Sequence, residues 1–252
     1  MAERIFGINP VLELLRSHPH RIQEVLLPSD PLHGKKAEIY TLAREQNVKV
    51  QRIPRSKFDL LVGREAHQGV IGVVSPYSFQ SLETLIERWR GSGEKALFLI
   101  LDSVEDPRNF GAMARTGNAA GVHGIIIPKH RSAPINTGAE KAAAGAFAYT
   151  PVCRVTNLVS AIEHLKGEGI WTVGTAEDAE QSLYAFDFSV DVAVVVGGEE
   201  KGMHALVRRH CDFLLSIPVR GAMHSLNASV AAAVVLYEAT RQRHHSRYLP
   251  SK

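Results

Sequence analysis

Short, uninterrupted runs of valine, isoleucine and leucine constrain the fold of this chain more than any other feature of its sequence. The clearest are ALFLIL at 96–101, GIIIP at 124–128 and VAVVV at 192–196, and segments with a helical pattern separate them. Strands that are apolar on both faces are typical of a parallel sheet that helices cover on both sides. The carboxyl-terminal part is therefore predicted to be an α/β domain with a parallel sheet, closed by a long helix over about 227–243.

A smaller α/β unit is predicted ahead of that sheet. Residues 1–76 alternate short helical and strand patterns, and a unit of that length is within the range of an independent domain. The segment 77–95 combines a short amphipathic helix with Gly-Ser-Gly at 91–93, and we interpret it as a linker with an adapter helix. The larger domain is then expected over 96–252.

The excess of positive charge lies in the first third of the chain. Residues 1–78 hold 11 Lys and Arg against 8 Asp and Glu, whereas residues 79–252 hold 18 of each. Positive charge favours contact with a polyanion, because each bound phosphate adds to the attraction. By charge alone, an ordinary solvated surface is still the better interpretation.

Several classes of protein are excluded by composition. Two cysteines, Cys153 and Cys211, cannot build a disulfide scaffold or a four-thiolate zinc site, and a reducing compartment fits them best. No apolar run approaches the ~20 residues of a membrane span, and the first residues lack the order of a signal peptide. We therefore expect a cytoplasmic protein that binds no membrane, and no His, Cys and carboxylate cluster has the spacing of a metal site.

Three loops that follow apolar strands are rich in glycine and in hydrogen-bonding side chains. Ligands of open α/β sheets bind beyond the carboxyl ends of the strands, so a site is expected at these loops. In the first loop, at 101–122, we interpret Asn109 by default as the N-cap of a helix, and Arg115 lies one and a half turns into that helix. An arginine among so many small residues needs an anionic partner, either a phosphate or the carboxylate of a structural ion pair.

The second loop, VVVGGEEKGM at 194–203, contains paired glycines. Gly197 and Gly198 allow a ligand to approach the backbone closely, or allow the backbone to adopt a positive φ. The loop has the glycine spacing of a phosphate-binding loop but lacks its lysine and hydroxyl residue, so no triphosphate site is predicted. The adjacent Glu199 and Glu200 are also compatible with a solvated turn.

The third loop lies within SIPVRGAMHSLNASVAAAVVLYEATRQR at 216–243. Ser225, Asn227 and Ser229 open an alanine-rich helix, and one of them would be enough to cap it. Three such residues within five positions leave hydrogen-bonding groups for a ligand. The alanines that follow allow another helix or a backbone segment to pack closely.

Together the three loops resemble the motifs of the SpoU (TrmH-like) RNA ribose methyltransferases of the SPOUT superfamily. The matching stretches are NFGAMAR at 109–115, GGEEKG at 197–202 and IPVRGAMHSLNASVA at 217–231. IFGINPVLELL near the start and HQGVIGVV at 67–74 resemble the substrate-binding domain of the RlmB type, which methylates a guanosine 2′-hydroxyl of 23S rRNA. The resemblance covers nearly the whole chain.

The resemblance implies a fold that composition does not predict, in which the carboxyl end of the parallel sheet is threaded into a deep trefoil knot. It implies S-adenosyl-L-methionine as the methyl donor, bent within the knot, and a homodimer whose interface completes the active site. The N-terminal domain of such proteins resembles small RNA-binding ribosomal proteins, so 23S rRNA or a precursor large-subunit particle is the expected partner. No metal is implied.

Site residues follow from the resemblance, position by position. The cofactor positions, which act chiefly through backbone groups, match Gly197, Ile217 and Leu226. The catalytic and substrate-side positions match Asn109, Arg115, Glu199, Ser225 and Asn227. An arginine at the position of Arg115 has been proposed as the base in this family, but a guanidinium with a pKa above ~12 is poorly suited to that task. We expect Arg115 to hold the phosphate of the target while Ser225 and Asn227 orient the hydroxyl.

Two alternatives remain open within this interpretation. One keeps the chemistry and changes the substrate to tRNA or to another rRNA site, although the N-terminal domain favours a large structured RNA. The other is a non-catalytic rRNA-binding assembly factor that retains the fold. The five matched catalytic and substrate-side residues argue against it, because a protein without catalysis need not keep them all.

Overall fold

The structure is a computed structural model that describes residues 3–62, 67–221 and 225–244. Its first sheet has four strands in the order β1-β4-β2-β3, with β2 and β3 parallel and the other two pairs antiparallel. Helices on this sheet bury an apolar core of their own. The elements are β1 (Glu3–Phe6), α1 (Ile8–Ser17), β2 (Ile22–Pro28), α2 (Lys35–Glu45), β3 (Lys49–Ile53), α3 (Arg55–Val62) and β4 (Ile71–Val74).

The second sheet has seven strands in the order β7-β6-β5-β10-β8-β11-β9, and every neighbouring pair is parallel. This confirms the predicted α/β class with a parallel sheet. The elements are α4 (Leu82–Ser92), β5 (Leu97–Asp102), α5 (Pro107–Ala119), β6 (Gly124–Pro128), α6 (Thr137–Ala143), β7 (Val152–Val155), α7 (Leu158–Gly167), β8 (Trp171–Thr175), β9 (Gln181–Ser182), β10 (Val192–Gly197), α8 (Ala205–His210), β11 (Phe213–Ser216) and α9 (Ala228–Arg243).

Two apolar cores lie on the two faces of the seven-stranded sheet. All residues of β5 and β10 are buried, as the uninterrupted apolar runs predicted. Alternate residues of β5 point to opposite faces: Leu99 joins the core beneath α5 and α9, whereas Phe98 joins the core beneath α4 and α7. Cys153 and Cys211 pack in the second of these cores, as expected of small apolar residues.

The Gly-Ser-Gly at 91–93 ends helix α4. Gly91 and Ser92 are helical, and Gly93 is the C-cap in the left-handed region with φ 69°. The amphipathic face of α4 is buried against the seven-stranded sheet through residues that include Leu85 and Ile86. Helix α4 is therefore packed on this sheet, while the division of the chain at 76 and 95 stays a prediction.

The two sheets meet at helix α6 and the short 3₁₀ helix Ala146–Ala148. The hydroxyl of Thr137 donates to the backbone oxygen of Arg4 at 2.7 Å, which ties α6 to β1. Arg21 and Glu140, both buried, approach each other across the contact to 3.7 Å. Gly145 has no room for a side chain, because a Cβ there would lie 2.5 Å from the Cβ of Glu13. Close contact at these points joins the first sheet to α6, which in turn packs on α5.

Among the helices that the structure describes, none is both long and apolar enough to cross a bilayer.

Candidate active site

A cavity of about 690 Å³ opens at the carboxyl edge of the seven-stranded sheet, where β8, β10 and β11 end side by side. Its walls are the segments that follow these strands together with the first turns of α9. Its volume lies in the range typical of small-molecule sites. The cavity therefore occupies the edge at which ligands of open α/β sheets bind.

The three residues expected to contact the cofactor, Gly197, Ile217 and Leu226, all line this cavity. Gly197 has no space for a side chain: a Cβ there would lie 2.2 Å from the carbonyl carbon of Gly202. The backbone turns back on itself at this point, and the amide of Gly202 donates to the carbonyl of Gly198 at 2.9 Å. Backbone groups thus form the wall of the cavity where glycine was predicted to allow a close approach.

The cavity suits the methyl donor that the resemblance implies. S-adenosylmethionine carries a sulfonium and an ammonium group, and acidic side chains such as Glu177 and Glu199 line the cavity. A third acid, Asp178, is paired with Arg208 at 2.9 Å, and the hydrogen bond from Arg208 lowers the pKa of that carboxyl. Because the wall at Gly197 is backbone, an adenine edge can be read there by amide and carbonyl groups.

Side chains from all three loops meet beside the cavity. The amide of Asn109 donates to Oε1 of Glu199 at 2.6 Å. The amide of Asn227 donates to the same carboxylate oxygen and lies 3.3 Å from Oδ1 of Asn109. Three of the five expected catalytic residues therefore form one hydrogen-bonded cluster. Ser225, like Glu199, lines the cavity.

Asn109 reaches this cluster because another residue caps its helix. The N-cap of α5 is Asp106, whose carboxylate accepts from the amide of Arg108 at 2.8 Å, and Pro107 occupies the first helical position. The default interpretation of Asn109 as the N-cap is therefore wrong. Its side chain lies within the first turn and points its amide at Glu199.

Asn227 has two functions in the structure. Its Oδ1 caps α9 by accepting from the amides of Ser229 at 2.9 Å and Val230 at 3.3 Å. Its Nδ2 donates to the cluster at the same time, so helix capping fixes the direction of the donor. Residues 222–224 of the third motif lie outside the described residues.

The structure does not bring Arg115, an expected site residue, to the cavity or to the Asn109–Glu199–Asn227 cluster. It is exposed on α5, it does not line the cavity, and it makes no hydrogen bond or ion pair with any residue in the described part of the chain. The small residues around it pack α5 against α6, where a Cβ on Gly111 would lie 2.3 Å from the carbonyl oxygen of Ala139. The alternative of a structural ion pair therefore finds no partner within residues 3–62, 67–221 and 225–244.

A second polar cluster adjoins the loop of Glu199, and we did not predict it from the sequence. Asp102, at the end of β5, is buried, and its carboxylate accepts from the backbone amide of His204 at 2.6 Å. The imidazole of His204 lies 3.1 Å from the same carboxylate and 2.6 Å from a guanidinium nitrogen of Arg131. The sequence signal was an acidic residue that ends an otherwise apolar strand.

The comparisons with known proteins agree with this geometry. Residues 96–237 match the SpoU rRNA Methylase family, and residues 4–80 match a domain described as RNA 2'-O ribose methyltransferase substrate binding. The chain is 42% identical over 246 residues to the 23S rRNA (guanosine-2'-O-)-methyltransferase RlmB of Escherichia coli, covering 96% of this chain and 100% of that protein. It is 40% identical to the enzyme of that name from Pseudomonas putida, covering 97% of this chain and 98% of that protein.

A solved structure shows the same fold with a bound cofactor. The SpoU methyltransferase AviRb from Streptomyces viridochromogenes in complex with AdoMet superimposes with a TM-score of 0.79 at 26% identity, covering 96% of this chain and 90% of that chain. The match extends over both sheets, and the sequence match to the family covers all three loops of the candidate site. The chain thus belongs to the SpoU rRNA methylase family.

Proposed function

We propose that this chain transfers a methyl group from S-adenosyl-L-methionine to the ribose 2′-hydroxyl of a guanosine in 23S rRNA. The observation that carries the proposal is the Asn109–Glu199–Asn227 cluster beside the cavity, in a chain whose Escherichia coli relative is named for this reaction. A cytoplasmic location follows from the substrate, and free thiols at Cys153 and Cys211 are compatible with it.

The cofactor-binding positions in this proposal are Gly197, Ile217 and Leu226, all of which line the cavity. When bound, S-adenosylmethionine supplies a methyl group that its sulfonium already activates. The trefoil knot stays part of this proposal, as the family resemblance implies, and both the loop after β10 and the segment after β11 line the cavity. Backbone contacts in such a wall favour the adenosyl group without a dedicated side chain.

The reacting hydroxyl needs orientation, because a protonated 2′-hydroxyl is a poor nucleophile. We assign that task to Ser225 and Asn227. Glu199 holds the amides of Asn109 and Asn227 in one direction by accepting from both. A hydroxyl that binds Ser225 beside this cluster is positioned against the methyl donor, and positioning alone can supply a large part of the rate.

We propose further that Arg115 holds the phosphate of the target and reaches the site across the interface of a homodimer. Its exposed position on α5, away from the cavity of its own chain, supports this role. An apolar surface for a second copy is offered by α9, on which Val230 and Tyr237 are 47% and 52% exposed two turns apart. Arg115→Ala is expected to abolish methyl transfer and leave cofactor binding nearly intact.

A mixing experiment tests the shared site. Arg115→Ala and Glu199→Ala are each expected to be inactive alone. When they are unfolded together and refolded as mixed dimers, activity is expected to return, because one of the two sites then combines an intact Glu199 from one chain with an intact Arg115 from the other. If the mixture stays inactive although mixed dimers form, Arg115 acts within its own chain. A loss of cofactor affinity in Arg115→Ala would contradict the phosphate role.

The substrate is tested by transfer of labelled methyl from S-adenosylmethionine to unmodified 23S rRNA, 16S rRNA and tRNA transcripts. We expect label on 23S rRNA alone. Label on tRNA instead would keep the mechanism and replace the substrate. If no RNA is labelled and no cofactor binds, the assembly-factor function is the better account. The N-terminal region over 1–76, which we propose binds the RNA, should be required for transfer to 23S rRNA.

A further inference from the structure

The carboxyl edge of the seven-stranded sheet continues past the candidate active site on the side of β5 and β6. Along this edge the cofactor cavity lies beyond β11, β8 and β10, and the Asn109–Glu199–Asn227 cluster lies between β10 and β5. Further along this edge lie Ser103, which follows β5, and the loop 129–131, which follows β6. A basic side chain is held there by a hydrogen-bond relay that the proposed chemistry does not use.

The relay runs from Asp102 through His204 to Arg131. Because Arg131 can only donate, Nε2 of His204 must accept its hydrogen bond at 2.6 Å. The proton of a neutral His204 is then on Nδ1, which lies 3.1 Å from the buried carboxylate of Asp102. The buried acid thus fixes the tautomer of the histidine, and the histidine fixes the guanidinium.

Backbone conformation in this cluster is unusual. Ser103 and Arg131 both have φ in the left-handed region, at 62° and 57°, which non-glycine residues rarely adopt. The hydroxyl of Ser103 contacts Nδ1 of His204 at 3.0 Å, so both strained residues touch the same imidazole. Strain of this kind persists where the surroundings hold a side chain in place, which is the case for Arg131.

Arg131 has no direct carboxylate partner among the residues that the structure describes. Its bound acceptor is a neutral imidazole, and no acidic side chain among the described residues forms an ion pair with it. Arg131 is exposed and Lys129 and His130 beside it are exposed as well, so its remaining guanidinium donors face solvent. A fixed guanidinium with free donors and full charge matches a phosphodiester, which it can bind through two hydrogen bonds.

The location of Arg131 suits an RNA that contacts both sheets. Six residues further along the chain, Thr137 binds the backbone of Arg4 and joins this region to the N-terminal sheet. Residues 131–137 therefore connect the contact with His204, beside the candidate site, to the contact with the N-terminal sheet that is proposed to bind RNA.

We propose that Arg131, positioned by His204 and Asp102, binds a phosphodiester of the RNA substrate next to the reacting nucleotide. The inference rests on the proposed function, because it takes RNA as the substrate. It assigns a binding role to Arg131 and positioning roles to His204 and Asp102.

The test is binding of a fluorescein-labelled 23S rRNA transcript to the full chain, measured by anisotropy at several salt concentrations. Arg131→Ala is expected to weaken binding about 10-fold. It should also reduce the magnitude of the slope of the log association constant against log salt concentration by about 0.7–0.9, which is the contribution of one phosphate contact. Arg90→Ala is the matched control. It also removes one charge, but Arg90 pairs with Glu168 at the opposite edge of the sheet and should leave both quantities unchanged.

Variants of His204 separate positioning from folding. His204→Ala should weaken RNA binding in the same direction, and His204→Gln should restore part of it, because its amide oxygen can accept from Arg131. S-adenosylmethionine affinity and the unfolding midpoint of Arg131→Ala should equal those of the wild type, which shows that the variant is folded.

An Arg131→Ala chain that binds the transcript with wild-type affinity and salt slope would overturn the inference. That outcome is distinct from failure of the proposed function, in which the wild-type chain itself transfers no methyl group to 23S rRNA. A folded Arg131→Ala chain that loses cofactor affinity and RNA affinity together would also overturn it, because a phosphate contact affects the RNA alone.

Discussion

Asn109 donates a 2.6 Å hydrogen bond to Glu199, which lies 90 residues further along the chain. The same carboxylate oxygen accepts from Asn227, so one acidic group joins the loops after β5 and β10 to the start of α9. The three loops thus share one anchor beside the cavity, and the geometry of each depends on the other two.

Glu199→Gln is expected to lower kcat about 10-fold or more, because both amides then bind a neutral acceptor and charge-assisted hydrogen bonds are about twice as strong. The free energy of unfolding should change little, since the cluster is accessible to solvent. Steady-state methyl transfer measures the effect. Glu87→Gln on the exposed face of α4 is the matched control, and equal rates for the two variants would contradict the role of Glu199.

Asn227→Ala is expected to lower the free energy of unfolding by about 1 kcal/mol through loss of the α9 cap, and to lower methyl transfer as well. Asn157 caps α7 in the same way, by accepting from the amides of Val159 and Ser160, but lies far from the cavity. Asn157→Ala should be destabilised by a similar amount and keep its activity. Urea unfolding and methyl transfer compare the pair, and a matching loss of activity in Asn157→Ala would show that stability alone is responsible.

Gly197→Ala is expected to abolish S-adenosylmethionine binding, because the new Cβ would overlap the backbone of Gly202 and push the cavity wall apart. Gly91, in α4, has no atom within 4 Å of the Cβ position, and Gly91→Ala should leave binding unchanged while favouring the helix slightly. Isothermal titration with the cofactor measures both. Retained affinity in Gly197→Ala would show that the backbone wall is not needed.

Stability is expected to fall at acidic pH partly through His123. Burial lowers the pKa of this imidazole below its ordinary value of 6.5, and its Nδ1 accepts from the amide of Leu97 at 3.2 Å. The folded state therefore holds it neutral, and its contribution is present above pH 6.5 and lost as the pH falls through the lowered folded-state pKa. Urea unfolding at several pH values should show that the free energy of unfolding falls less at acidic pH in His123→Gln than in the wild type. His33 is exposed, and His33→Gln should follow the wild type.

The sequence predicted the parallel sheet well, because strands buried on both faces leave a continuous apolar run, as β5 and β10 do. It predicted the α5 cap poorly. Asp106 and Asn109 are both good capping residues, and Pro107, which prefers the first helical position, was the signal that distinguishes them. At 91–93, Gly91 and Ser92 continue α4 and Gly93 ends it, where the sequence suggested a linker.

The polar clusters show where prediction from sequence ends. Asp102 and His204 are 102 residues apart, and only the parallel pairing of β5 with β10 brings their loops together. Family resemblance supplied Asn109, Glu199 and Asn227 because their motifs are recognisable. It supplied Arg115 too, although the structure leaves that side chain exposed on α5 and outside the cavity wall.

The central claim is the position at which the methyl group is attached. We would label unmodified 23S rRNA with S-adenosylmethionine carrying a radioactive methyl group, hydrolyse the product with alkali and identify the labelled fragments. A 2′-O-methyl blocks cleavage at its own nucleotide, so we predict label in one alkali-resistant dinucleotide that begins with guanosine. Label in ordinary mononucleotides, which places the methyl group on a base, would contradict the account.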